Sequence, residues 1–478
     1  MEYHFNRMKF DINLESFSER VALMLEDGSS VSYKKLAEQC DALQEQMGTS
    51  KKLLCVLCKT NVETIVGYLA GLRGSHAVMM INAELNEELL DQLIERYQPD
   101  YMWQPIEENN RGIYEDGDYQ LIKRNVVETF ILNKDLVLLL STSGSTGSPK
   151  FVKLTKKNLY ANTASIAEYL KIRDDEKAIT SLPLYYSFGL SILNTHLAAG
   201  ATLLLTDKSI TTKEFWDFFK HENATSFSGV PYTYEMLKKI RFFKMQLPSL
   251  RTLTQAGGKL NPKLVEKFAQ YAKEKKVDFF VMYGQTEATA RISYLPPIYN
   301  QTHYKSIGIT IPGGRISLID DKGKEIIESE KEGELVYLGD NVMMGYATCR
   351  EDFSKPDEQY GSLKTGDIAY RDKEGFYYIT GRTKRFIKIF GNRVNLDEIE
   401  HSLKSEGFDC LCAGEDDLLK VAILELSISE SVKKQIIDKY GFHHSAVQVV
   451  VVSEFPVTSS GKIEYQKLFT KIKSEKYE

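Results

Sequence analysis

From about residue 20 to residue 310 the chain alternates short, continuously apolar runs with longer stretches whose apolar positions recur at helical spacing. Residues 53–57, 135–140 and 201–205 read as strands, and residues 61–72, 157–170 and 213–221 as amphipathic helices. Strands that are apolar at every position are those buried on both faces. The alternation therefore predicts βαβ units that build mostly parallel sheets with helices on either side. Two such α/β units fit this region.

From residue 307 to residue 379 the texture changes to short alternating segments broken by Gly and Asp-Gly or Asp-Asp turns, as in Ile316-Ser317-Leu318-Ile319-Asp320-Asp321-Lys322-Gly323. Such punctuation predicts a small antiparallel sheet or β-barrel. Beyond Arg382 a compact α+β pattern follows, with strands at 386–390, 420–426 and 447–452 and helices at 395–404 and 429–440. The predicted class is thus α/β: a large N-terminal region of two α/β subdomains plus a small β-barrel, then a separate α+β unit.

The length of 478 residues agrees with several packed units. Lys plus Arg number 61 and Asp plus Glu 66, a net charge of −5 spread along the chain, so no nucleic-acid footprint is expected. No apolar run approaches the roughly 18 residues of a membrane span, and Met1 to Arg7 lacks the order of a leader. A cytoplasmic protein is expected. Cys55 and Cys58 form a CxxC inside an apolar run, where they read as small buried hydrophobes rather than as metal ligands or a redox pair. No structural metal is expected.

The sharpest chemical feature is Ser141-Thr142-Ser143-Gly144-Ser145-Thr146-Gly147-Ser148-Pro149-Lys150, which follows an apolar strand. Hydroxyls interleaved with two glycines, and one ammonium after them, make a cradle for a polyphosphate. The nucleoside-triphosphatase pattern GxxxxGK[ST] is absent.

This loop resembles the signature of the adenylate-forming superfamily, which includes acyl-CoA synthetases, peptide-synthetase adenylation domains and firefly luciferase. The other signatures follow in order: Tyr283-Gly284-Gln285-Thr286-Glu287; Thr365-Gly366-Asp367; Gly381-Arg382; Ile387-Lys388 with Gly391-Asn392-Arg393-Val394 and Glu398-Ile399-Glu400; and Ser460-Gly461-Lys462-Ile463. The resemblance covers essentially the whole chain.

It implies a ligase that joins a carboxylic acid to ATP, giving acyl-AMP and pyrophosphate, and then passes the acyl group to a thiol. Thr142, Ser143, Gly144, Ser145, Thr146, Gly147 and Lys150 would enclose the ATP phosphates, with Thr286 on the α-phosphate and Glu287 holding Mg²⁺. Asp367 would accept from the ribose hydroxyls, with Arg382 donating to the same ribose or to the phosphate, and Gly257, Gly258, Tyr283, Gly284 and Ile379 would complete the nucleotide site. Lys462 would neutralise charge as the carboxylate attacks the α-phosphate. By the same resemblance the chain divides into 1–383, the AMP-binding domain, and 384–478, a mobile C-terminal domain hinged at Lys384. Its rotation would exchange Lys462 for Lys388 and Gly391 on the thiolation side.

The acyl pocket is expected around Tyr186, Ser187, Phe188, Gly229 and Val230. Tyr186 replaces a His that many acyl-CoA synthetases carry. Ser187 stands where amino-acid-activating domains place an Asp for the α-ammonium, which disfavours an α-amino acid because a hydroxyl pairs a buried ammonium poorly. The sequence stops at Glu478, soon after Lys462, so the acceptor is expected from outside, as coenzyme A or the phosphopantetheine of a separate carrier protein. A stand-alone amino-acid adenylation enzyme, and a non-catalytic sensor of nucleotide or acyl-adenylate, are the alternatives. Intact Lys150, Glu287, Asp367, Arg382 and Lys462 count against the sensor.

Overall fold

The computed structural model describes residues 14–107, 111–126, 131–141, 150–382, 385–389, 392–415, 417–458 and 463–474. Among them, nine strands form one mixed sheet. Val21–Leu25, Thr202–Leu205, Lys177–Ile179, Ser226–Gly229, Thr252–Gln255 and Asp278–Tyr283 run parallel in that spatial order. Antiparallel Ser30–Ser32, Ser293–Leu295 and Ile309–Thr310 complete the edges. A second sheet has parallel Leu136–Ser141, Ala77–Asn82, Leu53–Cys58 and Tyr101–Pro105 at its centre, again with antiparallel strands outside.

The helices start where the sequence offers caps. Asn61 accepts from the Thr64 amide to open Val62–Arg73, and Thr155 and Asn158 form a reciprocal capping box at the start of Lys156–Leu170. Helices cover both faces of the second sheet's central strand Leu53–Cys58, which is buried throughout. Leu54, Val56 and Cys58 belong to one core, while Leu53, Cys55 and Leu57 belong to another. Cys55 and Cys58, an odd number of residues apart, therefore point to opposite faces and cannot meet as a pair. Burial pushes the Cys55 thiol up to about 12.

The segment expected to be a sheet or barrel holds a four-stranded antiparallel sheet, Gly314–Ile319, Gly333–Gly339, Ser362–Arg371 and Tyr377–Arg382 in that order, so an open sheet replaces the expected β-barrel. The remainder contains the hairpin Phe386–Ile389 with Asn392–Asn395, the helices Leu396–Ser405 and Ser429–Tyr440, and the sheet Cys410–Glu415, Leu418–Ile423, Val447–Val451 around its own core. One boundary differs from expectation. The strand expected at 420–426 stops at Ile423, where both neighbours lose register, and Leu426 sits in an exposed turn. No helix among the described residues is long and apolar enough to cross a membrane.

Candidate active site

The parallel strand Asp278–Tyr283 delivers its C-terminal end to a tight loop, the usual place for a ligand in an open α/β sheet. Tyr283 Oη donates to Asp367 Oδ2, Gln285 Nε2 donates to the same oxygen at 3.0 Å, and Arg382 Nε donates to Oδ1 at 2.9 Å. Asp367 and Arg382 are register partners on adjacent strands, which places the pair without any loop rearrangement. The Asp367 side chain is only 2% exposed, whereas that of Arg382 is 62% exposed and free to reach a ligand. Burial, and then Asp367, raise the Tyr283 phenol well above its ordinary value, so it stays a neutral donor.

The loop is held from behind. Ile292 N donates to Tyr283 O at 2.9 Å, and a side chain at Gly284 would overlap the Ala290 carbonyl. Asn341 Nδ2 donates to Ala288 O and Arg291 O, both at 2.9 Å, while Thr289 Oγ1 donates to Asn341 O at 2.7 Å. Thr286 and Glu287 therefore sit on a fixed turn, Thr286–Ala288.

Glu287 and Lys150 meet at one side chain that sequence reasoning missed. Tyr346 Oη donates to Glu287 Oε1 at 2.8 Å, and Lys150 Nζ lies 3.4 Å from the centre of the same ring. Antiparallel pairing of Gly345–Ala347 with Phe151–Thr155 sets Tyr346 opposite Val152, two residues after Lys150. The donor set suits Mg²⁺ bound chiefly through phosphate oxygens: one hard carboxylate is present at this point, oriented by a phenol and backed by a cation. No group of three or more His, Cys, Asp or Glu forms an all-protein metal cage among the described residues.

The expected acyl-pocket residues gather beside this loop. Ser187 Oγ and Thr286 Oγ1 are 3.1 Å apart. Gly257, at φ +85°, faces Tyr186 Oη and Val230 Cγ1, and Gly258 faces Pro231. Gly229 ends the strand Ser226–Gly229 against Thr233. Phe188 alone of the five lines a cavity between the helices Lys156–Leu170 and Ser187–Ala198 and the sheet, shared with Ser191, Ser228, Thr254, Met282 and Arg291. Ile379 packs half-buried against the adjoining core.

Thr142 to Gly147, Lys384, Gly391 and Lys462 lie outside the described residues. Lys388 falls on the strand Phe386–Ile389, opposite Arg393. After Lys462, Ile463 bridges to Val457, and Tyr465 Oη donates to Glu400 Oε1 at 2.9 Å. Arg385 ties that element down: it pairs with Asp397 and with Glu400 at 3.0 Å and lies 3.7 Å over the Tyr465 ring.

Tyr346, Asn341 and Arg385 had no sequence signal beyond their type, because strand register or tertiary packing brings them in. Arg291 did have one: it is a lone charge in the run Ala288-Thr289-Ala290-Arg291-Ile292.

The model of a family described as "AMP-binding enzyme" matches residues 10–347. Among curated proteins, the D-alanine--D-alanyl carrier protein ligase of Listeria monocytogenes serotype 4a (strain HCC23) is 24% identical, with 93% of this chain and 95% of that protein covered. The protein of the same name from Bacillus cereus (strain AH187) is 24% identical at the same coverage. Among solved structures, O-succinylbenzoate Coenzyme A Synthetase (MenE) from Bacillus subtilis in complex with AMP superposes with a TM-score of 0.78 at 22% identity, covering 95% of this chain and 97% of that one. ATP-bound MatB from Rhodopseudomonas palustris gives 0.76 at 19% identity, covering 98% and 97%. A family model spanning most of the chain, over a fold shared with AMP- and ATP-bound enzymes, places this protein among the AMP-binding enzymes, as an adenylate-forming ligase.

Proposed function

We propose that this protein activates a carboxylic acid with Mg-ATP and transfers the acyl group to a phosphopantetheine thiol, carried on coenzyme A or on a separate carrier protein. The observation that carries the reading is the convergence of four separate sequence signatures at one loop. Lys150 and Glu287 share the Tyr346 ring, Thr286 is on the same turn, and Asp367 with Arg382 is tied to it through Tyr283 and Gln285.

In the first half-reaction a carboxylate oxygen attacks the α-phosphorus, the new O–P bond forms, and the bond to the β-phosphate breaks as pyrophosphate leaves. Thr286 donates to the α-phosphate, Lys150 and the loop 142–147 hold the departing phosphates, and Asp367 accepts from the ribose hydroxyls with Arg382 beside it. Gly257, Gly258, Tyr283, Gly284 and Ile379 enclose the rest of the nucleotide. Glu287 would hold Mg²⁺, which supplies charge neutralisation across the phosphates. Lys462 brings an ammonium to the developing negative charge. In the second half-reaction the thiol sulfur attacks the acyl carbon, AMP leaves, and the thiol proton passes to solvent.

Two steps in one pocket call for an exchange of groups. Residues 384–478 act as a mobile unit about Lys384, bringing Lys462 for adenylation and Lys388 with Gly391 for thiolation. Relatives named for transfer to a carrier protein and structural neighbours named coenzyme A synthetases both support a phosphopantetheine thiol. Ser187, a neutral hydroxyl against Thr286, favours an acid without a free α-ammonium.

Lys462→Ala tests the division of labour. Acyl-AMP formation is expected to be lost while thioester formation from preformed acyl-AMP persists; equal loss of both steps refutes it. Supplying coenzyme A or a phosphopantetheinylated carrier to the wild type then identifies the acceptor.

A further inference from the structure

The cavity behind Phe188 contains an anomaly. Arg291 is 3% exposed and its guanidinium carbon lies 4.0 Å over the Phe188 ring. Its hydrogen bonds run to Met282 Sδ at 3.4 Å and Ala290 O at 3.2 Å, and Tyr169 supplies a phenol nearby. All of these groups are neutral. Among the described residues no carboxylate lies within ion-pairing distance of Arg291. The charge nevertheless has no aqueous shell, and an unpaired buried cation is among the costliest groups a fold can carry.

The cavity's other lining does not supply the missing charge. Glu176 also borders it but is engaged elsewhere, accepting from Thr225 and lying 3.6 Å from Arg251. His196 is held neutral by burial, its pKa pushed down to about 4. The rest of the polar lining is hydroxyl: Ser191 and Thr195 from the helix Ser187–Ala198, and Ser226, Ser228, Thr252 and Thr254 from two neighbouring strands, facing the same side. Ile166, Leu170, Ile172, Ile192 and Met282 complete the lining, so Arg291 is the one cation among apolar and hydroxyl groups. The cavity also adjoins the reacting centre, because Ser187, next to Phe188, touches Thr286, and Met282 and Arg291 flank the loop that carries Thr286 and Glu287.

We infer that Arg291 is a specificity-determining residue that receives a second anionic group on the substrate, so that the acid activated is a dicarboxylate or an acid ending in another oxyanion. This rests on the ligase reading for the identity of the cavity as the acyl site. The substrate's distal oxyanion would supply the charge that the fold leaves out, and an uncharged tail would leave the cation unpaired, discriminating by more than a missing methylene could.

The test pairs butanoate with succinate, hexanoate with adipate and octanoate with suberate, and adds an ω-phosphono acid to separate carboxylate from phosphonate. Each is assayed for pyrophosphate release from Mg-ATP and, without ATP, for a rise in melting temperature. Arg291→Met keeps the side-chain volume and removes the charge, so it is expected to fold at least as stably as the wild type. Arg291→Lys keeps the charge. One or more doubly acidic compounds should exceed the matched monoacid by about tenfold or more in the wild type, with that preference retained in part by Lys and lost in Met. Equal use of monoacids and diacids, or a preference that survives in Arg291→Met, overturns the inference and leaves the ligase reading standing. A diacid-specific melting shift that Met abolishes, without pyrophosphate from any acid, upholds the anion site and refutes the ligase reading. Absence of both responses overturns the inference.

Discussion

The phenol of Tyr346 holds Glu287 by its hydroxyl and Lys150 by its face, so two charged groups of opposite sign are positioned by one ring. Tyr346→Phe keeps the ring and removes the hydrogen bond. Losing such an outer partner of a metal ligand typically weakens the metal about 10- to 100-fold. The Mg²⁺ concentration for half-maximal pyrophosphate release should therefore rise about tenfold or more, with little change in maximal rate. An unchanged Mg²⁺ dependence would show that the hydrogen bond is incidental. At this scale the motif residues Lys150, Tyr283, Thr286, Glu287, Asp367 and Arg382 were legible in the sequence, because each belongs to a short contiguous pattern. Tyr346 was not, since only the antiparallel register of Gly345–Ala347 on Phe151–Thr155 brings it over Lys150. Of the five residues expected to form the acyl pocket, Phe188 alone lines this cavity, whose hydroxyls come from the helix Ser187–Ala198 and from the strands Ser226–Gly229 and Thr252–Gln255.

Elements in this fold fix the site by close approach as much as by hydrogen bonds. Gly284 sits where a Cβ would overlap the Ala290 carbonyl oxygen and press on Arg291 Cα, both backbone atoms that cannot swing away. Gly284→Ala is expected to cost about 1–3 kcal/mol of stability, read as a lower denaturant midpoint. Because the displaced turn carries Thr286 and Glu287, pyrophosphate release should fall even where the protein remains folded. A fully active, equally stable variant would mean that the loop accommodates a methyl group. The continuous apolar runs were read correctly as strands buried on both faces because that burial leaves a direct trace in composition. The end of the strand at Ile423 left no such trace: the apolar sequence continues to Leu424 and Leu426, and only the neighbours' register stops it.

For the whole molecule, two buried histidines tie stability to pH. His76 and His196 both have folded-state pKa values pushed down to about 4, by burial first. Each remains neutral in the folded protein while its unfolded counterpart protonates below about 6.5, so the unfolded state binds more protons and stability falls as pH drops through the window from 6.5 to 4. The loss should reach up to about 3 kcal/mol per histidine at pH 4. Urea midpoints measured between pH 7.5 and pH 5 should decline, and His196→Phe should flatten the decline; a slope unaffected by the substitution would assign the effect to other groups. The change in texture beyond Arg382 led to the expected division there, and the residues that follow gather a hydrophobic core of their own. Their internal anchor was not legible, because Arg385 gathers Asp397 and Glu400 from the helix Leu396–Ser405 and Tyr465 from a later segment, groups that only folding brings together.

The central claim, adenylation of a carboxylic acid, is tested most directly by the fate of ATP. With ATP labelled at the α-phosphate, Mg²⁺, a panel of carboxylic acids and hydroxylamine to capture the acyl group, the products should be AMP and pyrophosphate in equal amounts, dependent on the acid. Formation of ADP and phosphate, or nucleotide cleavage indifferent to every acid supplied, would contradict it.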